Sequence, residues 1–257
     1  MIINDLTAGY GKISIVKDLT LTINKGEIVS LIGPNGGGKS TLLKTMTGRI
    51  KPINGTVSIG NRDLFTIPLS ERSRMLSIVT TDRVKPEHMT GLDVVMAGRL
   101  PYTNGFGSFT DKDHESVDKA ISLMKVEELA DKDFNSLSDG QKQRILIARA
   151  ICQETEYLIM DEPTSYLDIR YRMELMDVIR ELSDQGTTVI MSLHEPELAL
   201  RVSDRIVTVW EGGRADTMTP EGVITNSVVK DLYGMTDIMY EDLKAFSLWE
   251  KVPRRGG

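Results

Sequence analysis

The chain has 257 residues, 40% hydrophobic and 26% charged, with a formal net charge of −6 and a single cysteine, Cys152. Those proportions exclude disorder, collagen and coiled coil, and one cysteine excludes a disulfide framework. The acidic balance argues against a nucleic-acid partner, and no apolar run approaches the roughly 18 residues of a membrane span. The length suits one large domain or two small ones, with a core that needs no staples. Met1-Ile2-Ile3-Asn4-Asp5 lacks the basic-then-apolar pattern of a secretory signal. The default compartment is the cytoplasm, and any membrane role goes through a partner.

In chain order, Leu19, Leu21 and Ile23 alternate with Thr20, Thr22 and Asn24, the period of a half-buried strand. Residues 27–32 read as a shorter apolar strand running into the glycine cluster 33–38, and 40–47 as a helix ended near Gly48. Pro52 and Asn54-Gly55 predict a turn of the hairpin kind before a strand over 56–59. The first eighty residues thus read as strands with one helix. The middle, about 87–152, changes character. Helical patterns over 91–98, 111–125 and 139–151 flank a break at Pro101-Tyr102-Thr103-Asn104-Gly105. Val117, Ile121 and Met124 stripe the second helix, and Ile145, Leu146, Ala148 and Ile151 the third. Cys152 reads as a small buried residue there. Strands over 157–160, 188–192 and 205–210 then alternate with helices over 171–182 and 196–202. That alternation predicts βαβ units on a largely parallel sheet, with the middle helices inserted into it. Residues 240–257 carry no pattern, and Arg254-Arg255-Gly256-Gly257 reads as a frayed end.

Gly33-Pro34-Asn35-Gly36-Gly37-Gly38-Lys39-Ser40 fits the phosphate-loop pattern. Glycines let backbone N–H groups turn inward around phosphate oxygens, and the following helix offers its positive end. Lys39 would reach the β- and γ-phosphates, and the Ser40 hydroxyl would be a ligand of Mg²⁺. An apolar strand before the loop and a helix after it supply the required context.

The strand over 157–160 ends in Asp161-Glu162. Ligands collect at the carboxyl ends of parallel strands. Asp161 is placed to hold Mg²⁺, directly or through water, and Glu162 to orient or deprotonate an attacking water. Asp-Glu before Pro163 also suits a plain loop; the phosphate loop upstream favours catalysis. His194 follows the strand over 188–192, where a γ-phosphate contact can be made. His88 and His114 have no such setting and read as surface residues.

With these three sites in order, the chain resembles an ATP-binding-cassette (ABC) ATPase over about residues 1–235. Leu137-Ser138-Asp139-Gly140-Gln141 matches the family's signature, with Asp139 where glycine is usual. The resemblance implies an α/β fold: an ABC-type P-loop ATPase with a mostly parallel RecA-like sheet core and an N-terminal antiparallel β part. A helical subdomain, about 87–152, is inserted in that domain, and 236–257 form a C-terminal extension. The implied nucleotide contacts are Tyr10, stacking on adenine, and Gly33, Asn35, Gly36, Gly37, Gly38, Lys39, Ser40 and Thr41. Ser138, Gly140 and Gln141 would bind the γ-phosphate of ATP held by a second copy. Ser138 and Gln141 also suit a capping box, and both readings can hold. Ser165-Tyr166-Leu167-Asp168 resembles the loop that links the two sites of the dimer, and His194 the switch histidine. The family's Mg²⁺-contacting glutamine is missing. Thr81 occupies its place, with Asp82 the alternative, so the implied metal set is Ser40, Asp161 and Thr81.

Asp93-Val94-Val95-Met96-Ala97-Gly98-Arg99-Leu100-Pro101-Tyr102 resembles the Gly-Arg-x-Pro-Tyr segment of iron-siderophore, haem and cobalamin importer ATPases. That resemblance implies transmembrane permease subunits, a head-to-tail homodimer around two Mg-ATP, and indirectly a periplasmic or extracellular binding protein. It places the chain on the cytoplasmic face of the membrane, peripherally. The alternative is a soluble ABC ATPase without a permease, as in cofactor assembly.

Overall fold

The structure, a computed structural model, describes residues 1–82, 85–103 and 107–247. Arg83, Asn104, Gly105 and the Arg254–Gly257 end lie outside the described residues. The chain forms two compact units, Met1–Ile67 with Leu182–Gly257, and Pro68–Glu181.

The first unit begins with β1 (Ile2–Tyr10) and β2 (Ile13–Thr22), an antiparallel pair. β3 (Ile28–Ile32) is buried at every residue, as a strand covered on both faces must be. It runs into α1 (Lys39–Met46). β4 (Asn54–Ile59) pairs with β1, and β5 (Arg62–Asp63) with β4. The Asn54-Gly55 pair is therefore not the hairpin turn expected from the dipeptide. Asn54 sits opposite Thr7, and β1 carries one extra residue between Asn4 and Thr7. Gly55 has φ +79°, and a β-carbon there would lie 2.3 Å from the Asp5 carbonyl oxygen. The glycine serves a bulge, where two backbones approach closely.

The second unit follows. It opens with α2 (Leu69–Met75), a helix the sequence reading did not separate from the strands around it, and β6 (Leu76–Val79). The predicted helices appear as α3 (Gly91–Met96), α4 (Asp111–Met124) and α5 (Asp139–Cys152). α3 and α4 each start with a capping box, Thr90 with Asp93 and Thr110 with Asp113. β7 (Tyr157–Met160) is apolar, buried and parallel to β6. α6 (Ile169–Asp184) leads back to the first unit.

There, β8 (Thr188–Ser192) and β9 (Arg205–Val209) flank β3, both parallel to it, joined by α7 (Pro196–Val202). β10 (Ala215–Met218) adds an antiparallel edge. Three helices missed in the sequence close the unit: α8 (Pro220–Thr225), α9 (Val228–Tyr233) and α10 (Asp237–Ser247). α8 and α9 have six residues each, too few for a periodic signal, whereas α10 carries an amphipathic pattern that the reading of residues 240–257 overlooked. Tyr240 of α10 is buried and donates its hydroxyl to the Ile224 carbonyl of α8.

The Gly-Arg-x-Pro-Tyr segment is a cross-brace of the second unit. It continues α3 as a 3₁₀ turn, Ala97–Tyr102. Gly98 meets α5 so closely that a β-carbon would lie 2.3 Å from the Arg149 carbonyl oxygen. Arg99 is 3% exposed; its Nε bonds Asp113 Oδ1 at 2.8 Å, and an Nη donates to the Cys152 carbonyl at 2.9 Å and to Glu154 at 3.2 Å. Its guanidinium lies 4.2 Å from the centre of the Tyr102 ring, whose hydroxyl donates to the Gln153 carbonyl. The Cys152 thiol beside it is buried and pushed up to about 12, so it stays protonated.

The capping bonds from the Thr110 backbone and hydroxyl, with Arg99 adding to them, hold the Asp113 carboxyl down at about 2. A depressed carboxylate stabilises the fold above its unfolded value, 3.8, and that contribution disappears as pH falls through about 2. Removing one partner of a buried pair costs about 3 kcal/mol. Asp113→Asn is expected to lower stability by that amount at pH 7. In urea unfolding the gap to wild type should narrow below about pH 4, and a gap independent of pH would contradict the assignment.

Candidate functional site

The phosphate loop is shaped by close approach to β9. Ile32 pairs with Thr208, which puts Val209 beside Gly33. A β-carbon on Gly33, at φ +151°, would lie 2.1 Å from the Val209 carbonyl oxygen. Gly38, at φ +111°, precedes α1 with no side-chain cap, and a β-carbon there would meet Ile15 Cγ2 at 2.6 Å. The loop thus lies flat on its neighbours, and it leads into the start of α1, where backbone amides can receive an anion. Asn35 and Gly36 are exposed at the tip, Gly37 and Thr41 are buried, and Ser40 is half-buried.

Lys39 is 5% exposed. Its ammonium donates to the Gly33 carbonyl at 2.7 Å and the Pro34 carbonyl at 3.0 Å, so the lysine folds back onto its own loop. Tyr10 ends β1 half-exposed, paired with the exposed Ile13 across the turn. The Leu193 amide donates to the Leu31 carbonyl at 3.1 Å. β8 therefore runs beside β3 to the mouth of the loop, and the exposed His194 leaves at the same carboxyl edge as Gly33. These residues belong to the first unit.

The second unit holds the rest. The Asp161 amide donates to the Val79 carbonyl at 2.8 Å, so Asp161 and Glu162 emerge where β6 releases Thr80 and Thr81. Asp161 is buried and Thr81 exposed. Glu162 stands at φ +49°, a left-handed conformation that costs a non-glycine residue about 1 kcal/mol. Such strain concentrates at functional turns. The Ser165 amide braces it by donating to the Glu162 carbonyl at 3.1 Å.

Ser138 and Gln141 form the expected capping box at the start of α5: the Gln141 amide donates to Ser138 Oγ, and the Ser138 amide to Gln141 Oε1. Gly140 abuts the next loop, where a β-carbon would lie 2.7 Å from the Tyr166 carbonyl oxygen. Two polar residues of α5 extend this contact. Gln143 donates to the Pro163 carbonyl at 3.3 Å, just past Glu162, and Arg149 to the Ile78 carbonyl at 3.0 Å, just before Thr81. The sequence reading gave neither a role, although Gln143 is a polar residue on the buried side of that helix.

A glycine loop between a buried strand and a helix, ending in Lys-Ser, together with Asp-Glu after a parallel strand, defines a P-loop ATPase of the α/β class. Residues 16–165 match the ABC transporter family, and the chain belongs to it. An uncharacterised ABC transporter ATP-binding protein of Methanocaldococcus jannaschii is 38% identical, over 93% of this chain and 83% of its own length. The petrobactin import ATP-binding protein YclP of Bacillus subtilis is 34% identical, over 91% and 92%. The ferric enterobactin transport ATP-binding protein FepC of Escherichia coli is 32% identical, over 92% and 88%. The solved dimer of a bacterial ABC transporter cassette superposes with TM-score 0.75 at 26% identity, covering 85% of this chain and 98% of that one. The fold is accordingly that of an ABC ATPase, and the chain is an ATP-binding ATPase.

The close approach at Gly33 makes a direct prediction. Gly33→Ala is expected to weaken ATP binding at least tenfold in an equilibrium titration, because the loop must move off Val209. Gly60→Ala, also at positive φ (+59°) but with nothing within 4 Å, should cost only about 1 kcal/mol of stability.

Proposed function

We propose that this chain is the ATP-hydrolysing subunit of an importer for an iron-siderophore, haem or cobalamin-type ligand, working through a separate permease. The observation that carries this reading is coverage: relatives named for petrobactin and ferric enterobactin transport align over nine-tenths of the chain. The Gly98-Arg99-Leu100-Pro101-Tyr102 segment agrees with it. Among the described residues no helix is long and apolar enough to cross a membrane, which suits a subunit peripheral to the cytoplasmic face. We read 1–235 as the ABC domain, with the helical subdomain at about 87–152.

Two copies would close head to tail around two ATP molecules. Tyr10 stacks on adenine, and Gly33, Asn35, Gly36, Gly37, Gly38 and Thr41 line the phosphates with backbone and hydroxyl donors. Lys39 contributes its charge to the β- and γ-phosphates. Ser138, Gly140 and Gln141 of the other copy meet the γ-phosphate through the amides at the start of α5, an anion site by helix geometry. Glu162 orients the attacking water and accepts its proton, while His194 holds the γ-phosphate. The donors Ser40, Asp161 and Thr81 are hard oxygens, the kind Mg²⁺ prefers beside phosphate. Bound there, the ion neutralises charge on the transferring group. Arg149 ties α5 to the strand that leads to Thr81. A binding protein outside the membrane would deliver the ligand to the permease.

Glu162→Gln is expected to slow hydrolysis at least 100-fold while retaining ATP, so that size-exclusion chromatography with Mg-ATP shows a stable dimer. Normal turnover in this variant would remove Glu162 from its role. The importer assignment is tested by isolating the tagged chain from detergent-solubilised native membranes. A polytopic permease should come with it in stoichiometric amount. Recovery only with soluble proteins would favour the permease-free ATPase.

A further inference from the structure

The turn that carries Glu162 is strained, and α5 helps to hold it. Glu162 stands at φ +49° directly before Pro163, and Tyr166 follows at φ +67°. A residue before proline favours the extended region, so Glu162 departs from its local preference on two counts. Such a backbone persists only where its surroundings over-determine it. Part of the bracing belongs to the turn and its strands. The Asp161 amide donates to the Val79 carbonyl at 2.8 Å, the Ser165 amide to the Glu162 carbonyl at 3.1 Å, and the Leu167 amide to the Thr164 carbonyl at 3.2 Å. The rest comes from α5. Gly140, Gln143 and Arg144 share one face of that helix, at positions i, i+3 and i+4. Gly140 lets the Tyr166 carbonyl come close, and the Arg144 guanidinium lies 4.0 Å from the centre of the Tyr171 ring. Between them Gln143, 8% exposed, donates its side-chain amide to the Pro163 carbonyl at 3.3 Å.

We infer that Gln143 is a positioning residue for hydrolysis, whose bond to the Pro163 carbonyl holds the strained turn and so keeps the Glu162 carboxylate aimed. The inference rests on the reading of Glu162 given above. Pro163 is buried, and its carbonyl is the first acceptor after Glu162. A buried acceptor that loses its donor carries a desolvation cost, which favours rotation toward another partner. Rotation of the peptide between Pro163 and Thr164 lets Glu162 relax toward the extended backbone that its proline prefers. A base must sit within hydrogen-bond reach of the proton it takes, so a small displacement of the carboxylate slows the chemical step. The phosphate loop lies in the other compact unit, and the Asp161 amide keeps its bond to β6. Loss of the Gln143 donor therefore acts on turnover rather than on nucleotide affinity.

The test compares two glutamines of α5 and its end in the full chain. Gln143→Met removes the donor and keeps the length of the side chain. It is expected to lower kcat about tenfold while leaving the Kd for ATP unchanged. Gln153 at the end of α5 also donates to backbone carbonyls, those of Ser73 and Leu76, away from the turn. Gln153→Met should lower the melting temperature without lowering kcat. Unchanged kcat in Gln143→Met, or an equal loss in Gln153→Met, overturns the inference. In the Glu162→Gln background, adding Gln143→Met should leave the residual single-turnover rate unchanged and the ATP-bound dimer intact. A further tenfold drop, or loss of that dimer, would show that Gln143 does not act through Glu162 and overturns the inference as well. Normal turnover in Glu162→Gln alone instead removes the Glu162 assignment, a distinguishable outcome. If Gln143→Met does not fold, Gln143→Leu, also without a donor, takes its place with the same expectations.

Discussion

The Val209 carbonyl leaves no space for a side chain on Gly33, and most of the nucleotide-facing geometry depends on that contact. Because β9 pairs with β3 up to Thr208, the chain leaving β3 must turn at once along the sheet's edge. Only a residue without a β-carbon can make the turn at this separation. The loop then lies low enough for Lys39 to reach back to its first carbonyl, and for Tyr233 to bond the same residue. A bulkier first residue would lift the loop and break both contacts together. The family's glycine at this position is thus explained by a neighbour rather than by the ligand alone.

In the second unit the organising element is α5. Its first turn carries Ser138, Gly140 and Gln141, its middle reaches Pro163 and Ile78, and its last residues receive Arg99 and Tyr102. The charge buried against the end of this helix is tolerated because it has specific partners: Arg99 has Asp113, Glu154 and a carbonyl. Losing one leaves an uncompensated charge, which makes the network stiff as well as costly to disturb.

Much of this was legible in the sequence, and the reasons are local. Strands over 157–160 and 188–192 and the helix over 196–202 have the predicted bounds, since each is an apolar run or amphipathic turn set off by Gly, Pro or charge. The phosphate loop and Asp161-Glu162 were visible because their chemistry demands particular residue types in order. The capping box at Ser138 was visible for the same reason. The Asn54-Gly55 hairpin was wrong because the dipeptide reports a positive φ, which a bulge needs as much as a turn does. Tyr233 was not legible at all. A phenol 200 residues from its partner has no periodicity or spacing to announce it. Arg99 was seen only as part of a resemblance, and its physical role as a buried tie came from geometry.

That role bears on how the segment can act. Arg99 and Tyr102 are pinned, to Asp113 and to Gln153, and Gly98 packs closely on the Arg149 carbonyl, while Leu100 between them is 56% exposed. Leu69, at the start of α2, is 72% exposed, and Arg74 of the same helix donates to the Pro101 carbonyl. An apolar side chain presented by fixed neighbours pays little conformational entropy when a partner covers it. It also passes displacement on instead of absorbing it, because the groups around it are tied to the C-terminal end of α5. On the importer reading proposed above, a segment built this way suits the transmission of force from a docked permease to α5 better than it suits recognition by adaptable contacts.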